Sequence, residues 1–153
     1  MSLVEDRLRE KGLELPTPVT PVANYVPTVR TGNLVFLSGH VPIKDGQPTF
    51  KGRVGVDIDV PTGYQAAQLV TLGLLASLKR EIGDLDRVKR VVKVLGLVNS
   101  PPEFTQHPEV MNGASDLLVH VFGDRGKHTR SAMGAGSLPR GVAVEIEMIV
   151  EVE

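Results

Sequence analysis

An arginine and a glutamate near the C-terminal end carry the clearest chemical signal in this chain. Arg130 opens one short extended run, and Glu145 lies fifteen residues later within another. With a loop centred on Ser137 to Pro139, the two runs form a hairpin that sets the pair near opposite positions of an antiparallel ladder. Same-face neighbours across such a ladder have Cβ atoms about 4.5–5.5 Å apart. A fixed guanidinium grips a carboxylate bidentately. A side-chain carboxylate nearby orients a water and moves a proton. On spacing alone, the simpler reading is a cross-strand ion pair on a solvated face, contributing about 0.2–1 kcal/mol.

Other chemistry-bearing motifs lack the context they need. Gly134-Ala135-Gly136 with a later Gly141 is glycine-rich, but it joins two strands and contains Pro139, whereas a dinucleotide cradle runs from a strand into a helix. Gly123-Asp124-Arg125-Gly126-Lys127 lacks the phosphate-loop spacing and follows a helix instead of opening one. The four histidines (His40, His107, His120 and His128) show no two-histidine helix motif and have no cysteine partners, so they read as surface or polar-contact residues and not as metal ligands. Ser38 and His40 flank Gly39, yet a strand end offers no nucleophile elbow, and Ser38 reads as a polar residue closing a strand.

The elements that position these residues belong to an ordinary globular chain. The sequence has 153 residues, 41% hydrophobic and 23% charged, which predicts one domain over residues 1–153 without metal or disulfide staples. Seventeen lysines and arginines nearly balance eighteen acids, leaving a net charge of −1 and no field to recruit nucleic acid or an anionic membrane. With no cysteine, thiol catalysis and thiolate metal sites are excluded. Early acids at Glu5 and Asp6 argue against a signal peptide, and no apolar run approaches a membrane span. A soluble, cytoplasmic protein is expected.

Ser2 with Glu5 forms a capping-box pattern for a short helix ending at Gly12. Pro16, Pro18, Pro21 and Pro27 then impose an extended arm, so residues 1–21 read as an N-terminal helix and arm. Leu34–Ser38 reads as a buried strand. Pro42 through Val60 reads as irregular or edge strand, its best signal the Val54/Val56/Ile58 alternation. A long helix runs from Pro61 to Gly83, a valine-rich strand from Val88 to Val98, and a second long helix from Pro108 to Gly123. The final strand alternates cleanly, with Val142, Val144, Ile146, Met148, Val150 and Val152 on one face and Ala143, Glu145, Glu147, Ile149, Glu151 and Glu153 on the other. These elements predict an α+β domain with a mixed β-sheet and two α-helices packed on one face.

From Tyr25 onward the chain resembles the RidA (YjgF) family. The resemblance is carried by Asn24-Tyr25-Val26, by Thr31-Gly32-Asn33-Leu34-Val35-Phe36-Leu37-Ser38-Gly39, by Asn112, and by Arg130-Ser131 followed by Leu138-Pro139 and Val144-Glu145-Ile146-Glu147. The long N-terminal segment points to a longer subgroup. Ala132 stands where the family often has cysteine. The resemblance implies a chorismate-mutase-like fold, a homotrimer with sites between subunits, and cofactor-free hydrolysis of 2-imino or 2-enamino acids to 2-oxo acids and ammonia. It implies that Arg130 clamps the substrate carboxylate and Glu145 orients the water. Tyr25, Ser38, Gly39 and Asn112 would shape the pocket. A non-catalytic trimer that binds small carboxylates shares all these residues. An endoribonuclease or translation inhibitor is disfavoured by the balanced charge and the 4% aromatic content.

Overall fold

The computed structural model describes residues 2–21 and 23–153; Met1, part of the expected N-terminal segment, and Val22 lie outside them. Helix α1 spans Leu3–Glu10 and starts as the capping box requires: the Ser2 hydroxyl accepts from the Glu5 backbone N–H and donates to its carboxylate. Asp86 accepts two further N–H groups of the first turn, from Leu3 and Val4. Val4 and Leu8 are buried, so α1 is fastened to the body of the protein. The arm that follows packs Leu13 and Leu15 against the core, and Arg80 holds the Val19 carbonyl at 2.9 Å.

Two strands come next, β1 (Thr28–Thr31) and β2 (Leu34–His40). The segment after β2 holds a two-residue hairpin, β3 (Ile43–Lys44) with β4 (Gln47–Pro48). The Val54/Val56/Ile58 alternation belongs to a turn, not a strand: Val54 and Ile58 form one isolated bridge, and Arg53 accepts the N–H groups of Val56, Asp57 and Ile58. Helix α2 (Val60–Ile82) is capped by Asp59, which accepts from Thr62 N–H, and is stopped by Gly83 at φ 86°. Strand β5 (Val88–Asn99), helix α3 (His107–Phe122), strand β6 (Thr129–Ala135) and strand β7 (Val144–Val152) complete the chain. A Cβ at Gly113 would overlap the Tyr64 carbonyl, so this glycine lets α3 seat closely against α2.

The five-stranded mixed sheet has the order β1-β2-β7-β5-β6. Helices α2 and α3 cover one face, where Val35, Leu37, Val94, Val98, Ile146, Met148 and Val150 are all buried. At about 1.5–3 kcal/mol for each large apolar side chain, this layer dominates the favourable side of folding. The fold class and its helix-covered face agree with the expectation; the short α1 adds to the two long helices.

The expected hairpin between the last two strands does not form. Strand β6 pairs in parallel with β5, with α3 as the crossover helix, and β7 inserts between β2 and β5. The loop residues include Arg140 at φ 59° and Gly141 at φ 72°, which look like hairpin turn chemistry. Beyond them, however, the Ala143 N–H is drawn to the Phe50 carbonyl, and Ala143 and Val142 carbonyls accept from Asn99. The chain is thereby carried past β5 before β7 begins.

Candidate functional site

Because β5 separates β6 from β7, Arg130 and Glu145 are not ladder neighbours. Arg130 sits opposite Val94, and Glu145 sits opposite Leu97. Two strand spacings and three residues of offset place their backbones about 14 Å apart. They also project from opposite faces. Arg130 shares the helix-covered face with Val94, and Glu145 shares the open face with Leu97. The expected cross-strand pair is therefore corrected to two half-sites.

The first half-site forms where β2 meets β7. Their register shifts between Leu37 and His40, creating an irregularity at Ser38 and Gly39. The Ser38 hydroxyl donates to the Val26 carbonyl at 2.7 Å, and the Ser38 N–H donates to Pro27 O at 2.9 Å, tying Tyr25 and its neighbours beside this bend. Tyr25 is 54% exposed. A Cβ built on Gly39 would lie 2.6 Å from Glu145 Oε1, so glycine alone leaves room for the carboxylate in this position. Burial, and then the charge of Glu147, push the Glu145 carboxyl above its ordinary value. A carboxyl tuned upward is better matched to proton transfer near neutral pH.

His40 supports this bend from below, a role its sequence context did not reveal. Its Nδ1 lies 2.7 Å from Ser38 O and must donate, because a carbonyl only accepts; its Nε2, 2.8 Å from Ser77 Oγ, then accepts. Burial lowers its basicity, so the imidazole stays neutral in this arrangement.

The second half-site lies between β6 and α3. Arg130 Nη1 donates to Asn112 Oδ1 at 2.8 Å and to Ser115 Oγ at 3.1 Å. Ser115 in turn donates to His128 Nε2 at 2.9 Å, while His128 Nδ1 donates to the Gly126 carbonyl at 2.6 Å. Burial is the main influence lowering His128, and the Arg130 charge acts in the same direction, so this histidine is held neutral. Asn112 was singled out from the sequence; Ser115 and His128 were missed. Spacing offered a signal: Ser115 follows Asn112 by three residues on one helix face, and His128 precedes Arg130 by two on one strand. Ala132 is partly buried against the core at the position opposite Gly96.

None of the ion pairs among the described residues includes Arg130 or Glu145. The guanidinium thus has neutral partners and an unused edge suited to a carboxylate. The carboxylate of Glu145 stands against a glycine that leaves backbone and water accessible. One half-site can bind an anion; the other can handle a proton.

The comparisons with known proteins agree with this architecture. A family model described as "YjgF/chorismate_mutase-like, putative endoribonuclease" matches residues 5–151. Protein TCP17 of Trypanosoma cruzi is 42% identical over 149 residues, covering 97% of this chain and 93% of its own. The crystal structure of protein Atu1372 from Agrobacterium tumefaciens superposes with a TM-score of 0.94 at 43% identity, covering 99% of this chain and 93% of that one. A structure from Shewanella oneidensis MR-1, named as an endoribonuclease, gives a TM-score of 0.94 at 34% identity, covering 97% and 99%. Motifs, sheet order and near-complete coverage lead to one assignment: the chain belongs to the YjgF/RidA family.

Proposed function

We propose that the protein is a deaminase that hydrolyses reactive 2-imino acids such as 2-iminopropanoate, and the 2-enamino acids that tautomerise to them, to 2-oxo acids and ammonia. The observation that carries this reading is the Arg130 guanidinium, held by neutral Asn112 and Ser115 and unpaired with any carboxylate among the described residues. A cation prepared in this way receives the carboxylate of a small substrate and fixes its imine carbon.

The two half-sites of one chain face away from each other, so the reading requires that they meet between copies, as clefts of a homotrimer. Its support is the open sheet face, where Val29, Phe36 and Met133 are 54%, 43% and 47% exposed around Glu145 and Glu147. Apolar surface of this kind, on a face no helix covers, suits burial by a neighbouring subunit. Arg130 of one copy then clamps the substrate against Gly39, Ser38, Tyr25 and Glu145 of the next. Glu145 orients a water, whose oxygen bonds to the imine carbon while the imine nitrogen takes a proton. The carbon–nitrogen bond of the resulting carbinolamine breaks, the hydroxyl proton leaves, and ammonia departs from the 2-oxo acid. In this reading the Gly39 N–H donates to the charge that develops. Asn112 keeps the guanidinium in position. The reaction as written consumes only water.

The test follows the decay of 2-iminopropanoate, generated by an amino-acid oxidase and trapped with semicarbazide. Wild type and the exposed control Lys44→Ala should accelerate decay, whereas Arg130→Ala should not. Equal rates for Arg130→Ala and wild type would overturn the assigned role. Saturable 2-oxo acid binding without turnover would instead identify a carboxylate-binding trimer. The endoribonuclease name attached to the Shewanella structure makes RNA cleavage a second reading. Salt-dependent RNA binding and cleavage by wild type would favour it.

A further inference from the structure

A recess of about 610 Å³ opens beside Gly39 and is roofed by the N-terminal arm. Ser38, Gly39 and Tyr25, all assigned to the substrate cleft, form its rim. Its walls are Pro16, Pro18 and Val19 from the arm, Val41 beyond β2, and Leu69 from α2, with Gly73 leaving the floor open. This volume lies in the range of small-molecule pockets, about 300–1,000 Å³. A methyl side chain would leave most of it to water.

The chemistry of the walls restricts what can fill it. No lysine or arginine lines the recess among the described residues, and its carboxylate is that of Asp45. Ser38 donates to Val26 O, and His40 uses both ring nitrogens on Ser38 O and Ser77; the other polar side chains of the lining besides Asp45, those of Thr17, Thr20 and Tyr25, carry uncharged hydroxyls. A negatively charged side chain would meet Asp45 without a compensating cation. An uncharged apolar side chain would displace water from proline, valine and leucine surface. The arm is held in place by the bond from Arg80 to Val19 O, 2.9 Å long, so the roof is part of the fold.

We propose that this recess is the side-chain subsite of the enzyme, and that it selects 2-imino acids with branched or aromatic apolar side chains over those with small or acidic ones. The inference rests on the deaminase reading, because Gly39 joins the recess to Glu145. Residues 16–21 are therefore specificity determinants. Gly73 sets the depth: a Cβ there would lie 3.8 Å from His40 Cδ2, in ordinary contact, and a longer side chain would project into the space.

The experiment compares kcat/KM for imines generated from leucine, phenylalanine, alanine and glutamate by suitable oxidases. Wild type should favour the leucine and phenylalanine products, with the glutamate product slower by about tenfold or more. Gly73→Leu should lower the leucine-derived rate about tenfold while changing the alanine-derived rate less than about twofold. Arg80→Ala, which releases the arm without touching the recess, should narrow the preference in the same direction, and it serves if Gly73→Leu does not fold. Wild-type turnover with no preference among the four products, or variants that slow all of them equally, would overturn the subsite. If wild type turns over none of them, binding of 4-methyl-2-oxopentanoate decides: loss of affinity in Gly73→Leu would sustain the recess while the deaminase reading falls. Equal affinity in wild type and variant would remove both.

Discussion

Arg130 and Glu145 carry opposite charges under opposite conditions. Arg130 lies on the edge strand β6 and faces the helices, where Asn112, Ser115 and His128 form a chain of hydrogen bonds around it. Glu145 lies on β7, in the middle of the sheet, and faces away from the helices against Gly39. The cation is positioned by donors and acceptors, and the carboxylate by steric fit and partial burial. Binding a substrate carboxylate demands a fixed guanidinium fork, whereas passing a proton demands a carboxyl raised toward neutrality. The fold separates the two side chains onto the two faces of one sheet, and the proposed deaminase reading therefore requires two chains for a complete site.

The sharpest way to break this comparison is to disable each half in a different chain. Arg130→Ala and Glu145→Gln should each be inactive alone. Refolding them together at equal amounts should restore about a quarter of wild-type sites, because one interface in four then unites an intact arginine with an intact glutamate. Single-variant activity adding without recovery would show that the halves do not cooperate across an interface.

Gly39→Ala tests the steric half. The methyl group would meet the Glu145 carboxylate, the free end of a flexible side chain, so the carboxylate swings aside at little cost to the fold. Displacement by about 1 Å costs on the order of 10²-fold in rate. The thermal midpoint should stay within a few degrees of wild type; a large fall in stability with activity preserved would contradict the account.

Asn112→Ala tests the hydrogen-bonded half, with a smaller effect because Ser115 still holds Nη1. Losing one hydrogen bond to a charged group is worth about 1.5–3 kcal/mol, and with the second partner retained we expect a rate loss of about tenfold. The loss should appear mainly in KM, since it disturbs carboxylate binding. A loss confined to kcat would move Asn112 into the chemical step.

These contrasts also explain what was legible beforehand. The alternation through Val144–Val152 and the apolar stripes of α2 and α3 are local patterns set by burial, and they located the elements and their faces within a residue or two. Strand partnership is not local. A short loop with turn residues resembled a hairpin, while the order β7-β5-β6 depends on bonds from Phe50 and Asn99 to Ala143 and Val142. One signal pointed the other way. Strand β6, with Ser131, Ala132, Gly134 and Ala135, lacks the bulk of a central strand, while β5 is valine-rich and is followed by a crossover helix. Arg130, Asn112, Gly39 and Glu145 were singled out by motif, and the structure sorts them into pairs that spacing could not assign.

The smallest expected effect concerns the titration of Glu145. Its carboxyl is raised above 4.5 by burial first and by the Glu147 charge second. Such a group binds its proton more tightly when folded, so stability falls as pH rises from 4.5 through the folded value. Glu145→Gln should therefore be more stable than wild type at pH 7, with the advantage shrinking as pH falls through the folded value and gone below about pH 4.5. Glu147→Gln removes only the like charge and leaves the burial, so the acid limb of the rate profile should move to lower pH by about a few tenths of a unit, the scale of exposed charge pairs. Arg130 shares no ion pair with either acid among the described residues. In a separated chain the titration of the Glu145 carboxyl, followed by NMR, should therefore be independent of Arg130. A shift of the acid limb on Arg130→Lys, in an assembled variant that retains measurable turnover, would reveal the guanidinium of a neighbouring copy acting on Glu145 across the cleft.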